Sequence, residues 1–226
     1  MQDKYCLPIL KESKDSVIET IGENLDSYGY FEIWLDYIED LDDDFISQLV
    51  SSYARRLVFV LRRKPAEATS LKLERIKEII NILAKSESMI DLDVKQQKDE
   101  LDYLKTVNKT LQLIGSYHNY EITPPDGDLI KIVEEIKAYS PEIIKIATMC
   151  NNASDSFRLI KIKVDFLENN QKHIVLGMGE EGKITRVFGA LWGNALIFIP
   201  QSNGEASAPG QITREEFDKI MERIKK

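Results

Sequence analysis

The chain has 226 residues, 43% of them apolar, with a formal charge of −8, which allows one sizeable core and disfavours nonspecific contact with nucleic acid or anionic lipid. No run approaches the ~18 apolar residues of a membrane helix, and Met1-Gln2-Asp3-Lys4-Tyr5 has no cationic segment followed by an apolar stretch, so neither a span nor a secretory signal is expected. Cys6 and Cys150 form no metal-like or redox pair, which fits free thiols in a reducing cytoplasm.

In chain order, short apolar or β-branched runs alternate with helical periodicity. A strand over Tyr5 to Leu10 precedes a helix over Ser13 to Asn24; Tyr30 to Asp36 precedes Asp44 to Tyr53; Leu57 to Leu61 precedes Leu71 to Ala84. The rhythm continues with Met89 to Asp93 and Lys95 to Asn108, Leu111 to Tyr117 and Gly127 to Tyr139, Ile143 to Thr148 and Ser154 to Asn169, then His173 to Leu176 and Thr185 to Trp192. A last strand, Ala195 to Ile199, leads to a closing helix over Thr213 to Lys226, where Thr213 and Glu216 have the spacing of a capping box. Eight strands alternating with eight helices predict an α/β fold with a parallel sheet. Closed on itself, it is a (β/α)8 TIM barrel, a single domain over residues 1–226 at about 28 residues per unit.

In such a barrel, function gathers at the C-terminal ends of the strands. Glu32, Trp34 and Asp36 share one face of the second strand by period two; Arg62 and Arg63 end the third; His118 ends the fifth. A Gly-rich loop with Arg186 follows the seventh, and Ser207 and Gln211 occupy the loop after the eighth. Lys145 interrupts the apolar run Ile143-Ile144-Lys145-Ile146-Ala147 on the sixth. If that strand is buried, a low dielectric pushes the amine's pKa down, and a neutral lysine can form a Schiff base with a ketone or aldehyde. The plainer alternative is a strand-end lysine whose stem packs while its head reaches water. Both readings stand at this stage.

Gly115-Ser116-Tyr117-His118-Asn119-Tyr120 with Thr123-Pro124, Lys145-Ile146-Ala147-Thr148-Met149, Gly177-Met178-Gly179-Glu180-Glu181-Gly182-Lys183-Ile184-Thr185-Arg186, and Ala206-Ser207-Ala208-Pro209-Gly210-Gln211-Ile212 occur in that order. Together with Glu32-Ile33-Trp34-Leu35-Asp36, the set resembles the signatures of type I 3-dehydroquinate dehydratase over nearly the whole chain. The resemblance implies dehydration of 3-dehydroquinate to 3-dehydroshikimate, in the shikimate pathway to chorismate and aromatic amino acids. Lys145 would form an imine with the substrate ketone, and His118 would act as general base and then general acid in a syn elimination. It further implies Arg186 for the substrate carboxylate, Glu32 and Gln211 for its hydroxyls, Arg62 as a second binding arginine, and Ser207 with Gln211 on a lid that excludes water. No metal or organic cofactor is implied. The expected partner is the small-molecule substrate, with no nucleic acid and no membrane, in a cytoplasmic homodimer.

Two departures qualify the resemblance. Trp34 stands where the family usually has arginine in Glu-x-Arg-x-Asp, which leaves open a Schiff-base lyase or aldolase of changed substrate, or a non-catalytic binding protein. After the third strand, Ala66-Glu67-Ala68-Thr69 replaces Glu-Gly-Gly, so Glu67 orients His118 only if the loop shifts by about one residue relative to Arg62. Other features read as structure. Gly177-x-Gly179-x-x-Gly182 fits a dinucleotide fingerprint, but only one strand follows it. Cys150 reads as packing, and His173 opens its strand at the end away from the rim. The acidic run Glu39-Asp40-Leu41-Asp42-Asp43-Asp44 lacks the glycine and distal glutamate of a Ca2+ loop and reads as dipole compensation before a helix.

Overall fold

The computed structural model describes residues 2–64, 67 and 69–224. Strands and helices alternate as β1 (Tyr5–Ile9), α1 (Lys14–Asn24), β2 (Tyr30–Trp34), α2 (Asp43–Tyr53), β3 (Leu57–Val60), α3 (Leu73–Leu83), β4 (Met89–Asp93) and α4 (Lys98–Thr106). They continue as β5 (Gln112–Asn119), α5 (Asp126–Lys137), β6 (Ile143–Met149), α6 (Ala153–Glu168), β7 (His173–Met178), α7 (Lys183–Leu191), β8 (Ile197–Phe198) and α8 (Arg214–Ile224). The strands form one parallel sheet in the order β7-β6-β5-β4-β3-β2-β1-β8. This is the expected (β/α)8 barrel.

Covered by helices outside and by side chains within, β1, β3, β4 and β7 are buried along their whole length, which is why they read as apolar runs rather than alternating ones. The seam between β7 and β8 is closed by a side chain. Ala195 N donates to His173 O at 2.8 Å; Asn194 Oδ1 accepts from Val175 N and its Nδ2 donates to Val175 O, both at 3.2 Å. One amide thus supplies the donor and acceptor that a longer β8 would have provided.

Helix starts follow their caps. Ser13, Asp42 and Asn152 accept from backbone N–H groups of the first turns of α1, α2 and α6, so the acidic run ends as a cap with Asp43 and Asp44 at the positive helix end. Thr213 and Glu216 bond reciprocally at the start of α8; Lys225 and Lys226 of the expected helix lie outside the described residues.

Three boundaries moved for local reasons. The second strand stops at Trp34, and Leu35–Tyr37 forms a single 3-10 turn that takes Asp36 off the expected face. The fourth helix begins at Lys98 because the Asp93 carboxylate accepts from the backbone N–H groups of Lys95 and Gln96. β8 shrinks to two residues beside the Asn194 bracket.

Candidate active site at the barrel mouth

Alternation along the strands aims one set of side chains into the barrel. In the β4–β5–β6 ladders Asp93 lies beside Ser116, and Ser116 beside Lys145. Lys145 is 5% exposed. Its Nζ donates to Asp91 Oδ2 at 2.6 Å, lies 3.5 Å from Glu32 Oε1, and sits 4.3 Å from the centroid of the Phe198 ring. The lysine is therefore buried and does not reach bulk water. Its pKa, however, does not fall as the sequence predicted. Burial works to lower it, but Asp91 and Glu32 outweigh burial and hold it above the ordinary lysine value.

Asp91 joins two cations. Arg62 Nη1 is 3.0 Å from Asp91 Oδ1, and Ser116 Oγ donates to the same oxygen at 2.6 Å. Burial alone would raise the Asp91 pKa, yet Arg62 and Lys145, with His118, hold it far below the carboxylate range. The site is a closed charge network, and a ligand entering it meets fixed charges rather than water.

His118 Nδ1 lies 2.9 Å from Asp93 Oδ2, and the His118 backbone N–H donates to that same oxygen at 2.8 Å. The Nδ1 proton thus points at Asp93. Nε2 keeps its lone pair toward the pocket and accepts from Arg62 Nη2 at 3.4 Å. Burial and the neighbouring Arg62 charge push the His118 pKa down against the pull of Asp93, leaving a neutral imidazole that can accept a proton at Nε2.

Glu67 is not the residue that orients His118. It is exposed and accepts from the Tyr37 hydroxyl at 2.6 Å, while Asp93 holds the imidazole. The loop does not make the shift that would bring Glu67 to the imidazole, and the carboxylate stays with Tyr37; Ala66 and Ala68 lie outside the described residues.

The other expected residues converge. Glu32, Arg62, Arg186, Ser207 and Gln211 line one pocket with His118 and Lys145. Arg186 is buried, its Nε has no partner among the described residues, and only Nη2 is engaged, donating to Pro209 O at 3.3 Å. Burial pushes its pKa down to about 10, still charged at neutral pH. An unpaired buried guanidinium is a site awaiting an anion. Ser207 and Gln211 bond to one another, Ser207 N donating to Gln211 Oε1 at 2.8 Å and Gln211 Nε2 to Ser207 Oγ at 3.1 Å. Trp34 Nε1 donates to Glu32 Oε2 at 2.8 Å, and its ring lies 5.8 Å from the Arg62 guanidinium. Asp36 leaves the mouth altogether and serves the loop after β3.

Sequence reasoning missed Asp91, Asp93 and Gln97. The signal was present for the two acids: Met89-Ile90-Asp91-Leu92-Asp93 places carboxylates at period two on an otherwise apolar strand, the same anomaly that singled out Lys145. Gln97 gave none. Its Oε1 accepts from Arg62 Nη1 at 3.3 Å and from Asp93 N at 3.2 Å, a role set by the turn after β4.

A (β/α)8 barrel whose mouth pairs a buried amine with a neutral, carboxylate-held imidazole and an unpaired arginine defines an enzyme-like site for a small carboxylate. The family profile described as type I 3-dehydroquinase matches residues 5–226, and the chain belongs to that family. It is 29% identical over 227 residues to a 3-dehydroquinate dehydratase of Methanococcus maripaludis, covering 97% of this chain and 99% of that one. It is 28% identical over 228 residues to one of Methanocaldococcus jannaschii, covering 96% and 98%. Among solved structures, the type I enzyme of Clostridium difficile superposes with a TM-score of 0.79 at 22% identity, covering 98% of this chain and 92% of that one. A 3-hexulose-6-phosphate synthase of Salmonella typhimurium also superposes, with a TM-score of 0.56, 12% identity and 97% of both chains covered. The barrel by itself therefore does not select the reaction.

Proposed function

We propose that the chain dehydrates 3-dehydroquinate to 3-dehydroshikimate through a lysine imine, as a carbon–oxygen lyase of the shikimate pathway. The observation that carries this reading is the pairing of the buried Lys145 amine with a neutral His118 in the pocket that also holds Arg186. The carboxylate binds Arg186. Lys145 starts as an ammonium, so it must release a proton before attacking the C3 ketone, and neutral His118 is the acceptor suited to take it. Returned to the carbinolamine, that proton lets water leave and the iminium form. Asp91 then stands beside the new cation and stabilises it. The iminium acidifies C2; His118 Nε2 removes that proton, and the enamine expels the C1 hydroxyl, protonated by the same imidazole. One base working from one ring face gives syn elimination, and hydrolysis frees the product and the amine.

In this reading Glu32 and Gln211 hold substrate hydroxyls, and Trp34 steadies Glu32 through its Nε1 hydrogen bond. Arg62, already committed to Asp91 and Gln97, acts in this reading mainly through His118 and Asp91. We place the enzyme in the cytoplasm as a homodimer. The outer face of α6 supports the dimer: Phe157, Ile160, Val164 and Leu167 follow a 3-4-3 spacing that is the same in both directions, and Phe157 is 69% exposed. Such a stripe is self-complementary about a two-fold axis.

The test is intact-protein mass after incubation with 3-dehydroquinate and borohydride, followed by peptide mapping. A reduced adduct on Lys145 is expected. An unmodified protein, under conditions that trap another member of the family, would remove this ketone as the substrate.

A further inference from the structure

The pocket at the mouth encloses about 30 Å³, room for about two waters at roughly 10–15 Å³ each, so a six-carbon ring acid enters only if part of the wall moves. The movable wall is the loop of residues 201–211. It lacks regular structure apart from one 3-10 turn, Asn203–Glu205, and it contributes Ser207, Ala208 and Gln211 to the pocket. Its contacts with the rest of the barrel are few. Gln201 Nε2 donates to Asn24 Oδ1 at 2.6 Å at the start of the loop; beyond it, Pro209 O accepts from Gly179 N and Arg186 Nη2, both at 3.3 Å, Glu205 lies 3.5 Å from Lys11, and Ala206 O accepts from Lys64 Nζ at 3.2 Å.

Lys64 differs from the others because the loop that carries it is braced from the next strand. Asp36 Oδ1 accepts from Leu71 N at 2.8 Å and Ser70 N at 3.0 Å, and Oδ2 from Thr69 Oγ1 at 2.8 Å and Arg63 Nε at 3.1 Å. Tyr37 completes the brace, accepting from Lys64 N at 3.0 Å and donating to Glu67 at 2.6 Å. Two adjacent residues of the turn after β2 therefore shape the loop after β3, and that loop presents an ammonium to the lid carbonyl next to Ser207.

We infer that Lys64 is a latch for the lid, a positioning residue that holds residues 201–211 shut over bound substrate, with Asp36, Tyr37 and Glu67 as its brace. Lys64 touches no reacting atom; it acts by keeping Ser207 and Gln211 in place. Its effect falls on substrate retention rather than on the chemical step.

Two readouts test it, and only the first rests on the proposed dehydratase reading. In Lys64→Met, KM for 3-dehydroquinate is expected to rise about three- to tenfold, the range of one ordinary net hydrogen bond, with kcat nearly unchanged and Lys64→Arg restoring it. The second uses no substrate. Cleavage after Glu205 by a glutamate-specific protease is expected to quicken by a similar factor in Lys64→Met, return toward the parent rate in Lys64→Arg, and leave the melting temperature unmoved. Parent rates of cleavage and parent KM in a folded Lys64→Met protein overturn the latch. Faster cleavage in a protein inactive on this ketone leaves the latch standing and sinks the substrate assignment instead.

Discussion

Lys145 and Lys163 are both buried lysines, 5% and 1% exposed, and they answer burial in opposite ways. Lys145, at the C-terminal mouth, has Asp91 and Glu32 beside it and is held above the ordinary lysine pKa. Lys163 of α6 lies under the opposite end of the barrel, 2.9 Å from His173 Nε2 and 2.7 Å from Asn194 Oδ1, with no carboxylate partner among the described residues. Burial, with a contribution from Lys4, pushes it down to about 8. Burial alone therefore does not decide the charge of an amine; the charge of its neighbours does. The mouth keeps a cation that reaction can consume, while the floor holds an ammonium that burial has destabilised and that has nothing to react with.

Asp91→Asn breaks this contrast with the largest expected effect. Both Lys145 and Arg62 lose the anion between them, and stranding buried cations costs about 3–5 kcal/mol. The sign with pH follows from Asp91 itself. Its folded pKa is depressed, so its contribution is present above the ordinary unfolded value of about 4 and is lost as pH falls below it. Urea melts of the parent should weaken between about pH 4 and pH 2 more steeply than those of Asp91→Asn. Equal slopes would mean that Asp91 does not carry the network's charge.

Asp93→Asn and Glu67→Gln separate the two acids that compete to hold His118. With the imidazole on Asp93, Asp93→Asn removes the acceptor that fixes the Nδ1 proton, and kcat should fall by about 10²-fold or more, the lower end of what a positioned acid–base group contributes. Glu67→Gln should stay within about twofold of the parent, because loss of a single exposed hydrogen bond is worth little. Steady-state rates at pH 7 are sufficient to decide, and the reverse ranking would return the orienting role to Glu67.

The fold was legible because most strand positions are apolar and α1, α2, α6 and α8 begin at side-chain caps, signals that are local. The residues at strand ends were legible through their anomaly, polar groups on runs that should be apolar. Lys145 was found that way, and Asp91 and Asp93 carried the same mark. Two things were not legible. The sign of the Lys145 shift depends on carboxylates on β2 and β4, more than fifty residues away in sequence, and no pattern around Lys145 encodes them. The fate of Glu67 depended on where the second strand stopped; the turn at Leu35–Tyr37 sent Asp36 and Tyr37 to the loop after β3, and Glu67 went with them.

Lys163→Met has a small expected effect on stability and gives the most direct reading of the floor. The folded parent carries a depressed pKa of about 8 against an unfolded value of about 10.4, so the burial penalty is fully present below pH 8 and is relieved as pH rises toward 10.4. Methionine removes that penalty. It also leaves His173 Nε2 without its donor, since Nδ1 already faces Gln171 O, whereas Asn194 Oδ1 keeps the Val175 N–H. The net gain at pH 7 should be about 1 kcal/mol, the charge penalty less one unpaired acceptor. Between pH 8 and 10 the advantage should shrink and then reverse, because the parent amine becomes neutral in the folded state while His173 in the variant stays unsatisfied. Urea midpoints of both proteins at pH 7 and pH 10 measure this crossing. A variant less stable by the same amount at both pH values would mean that the ammonium is structurally required, and that floor and mouth do not differ in the way their neighbours imply.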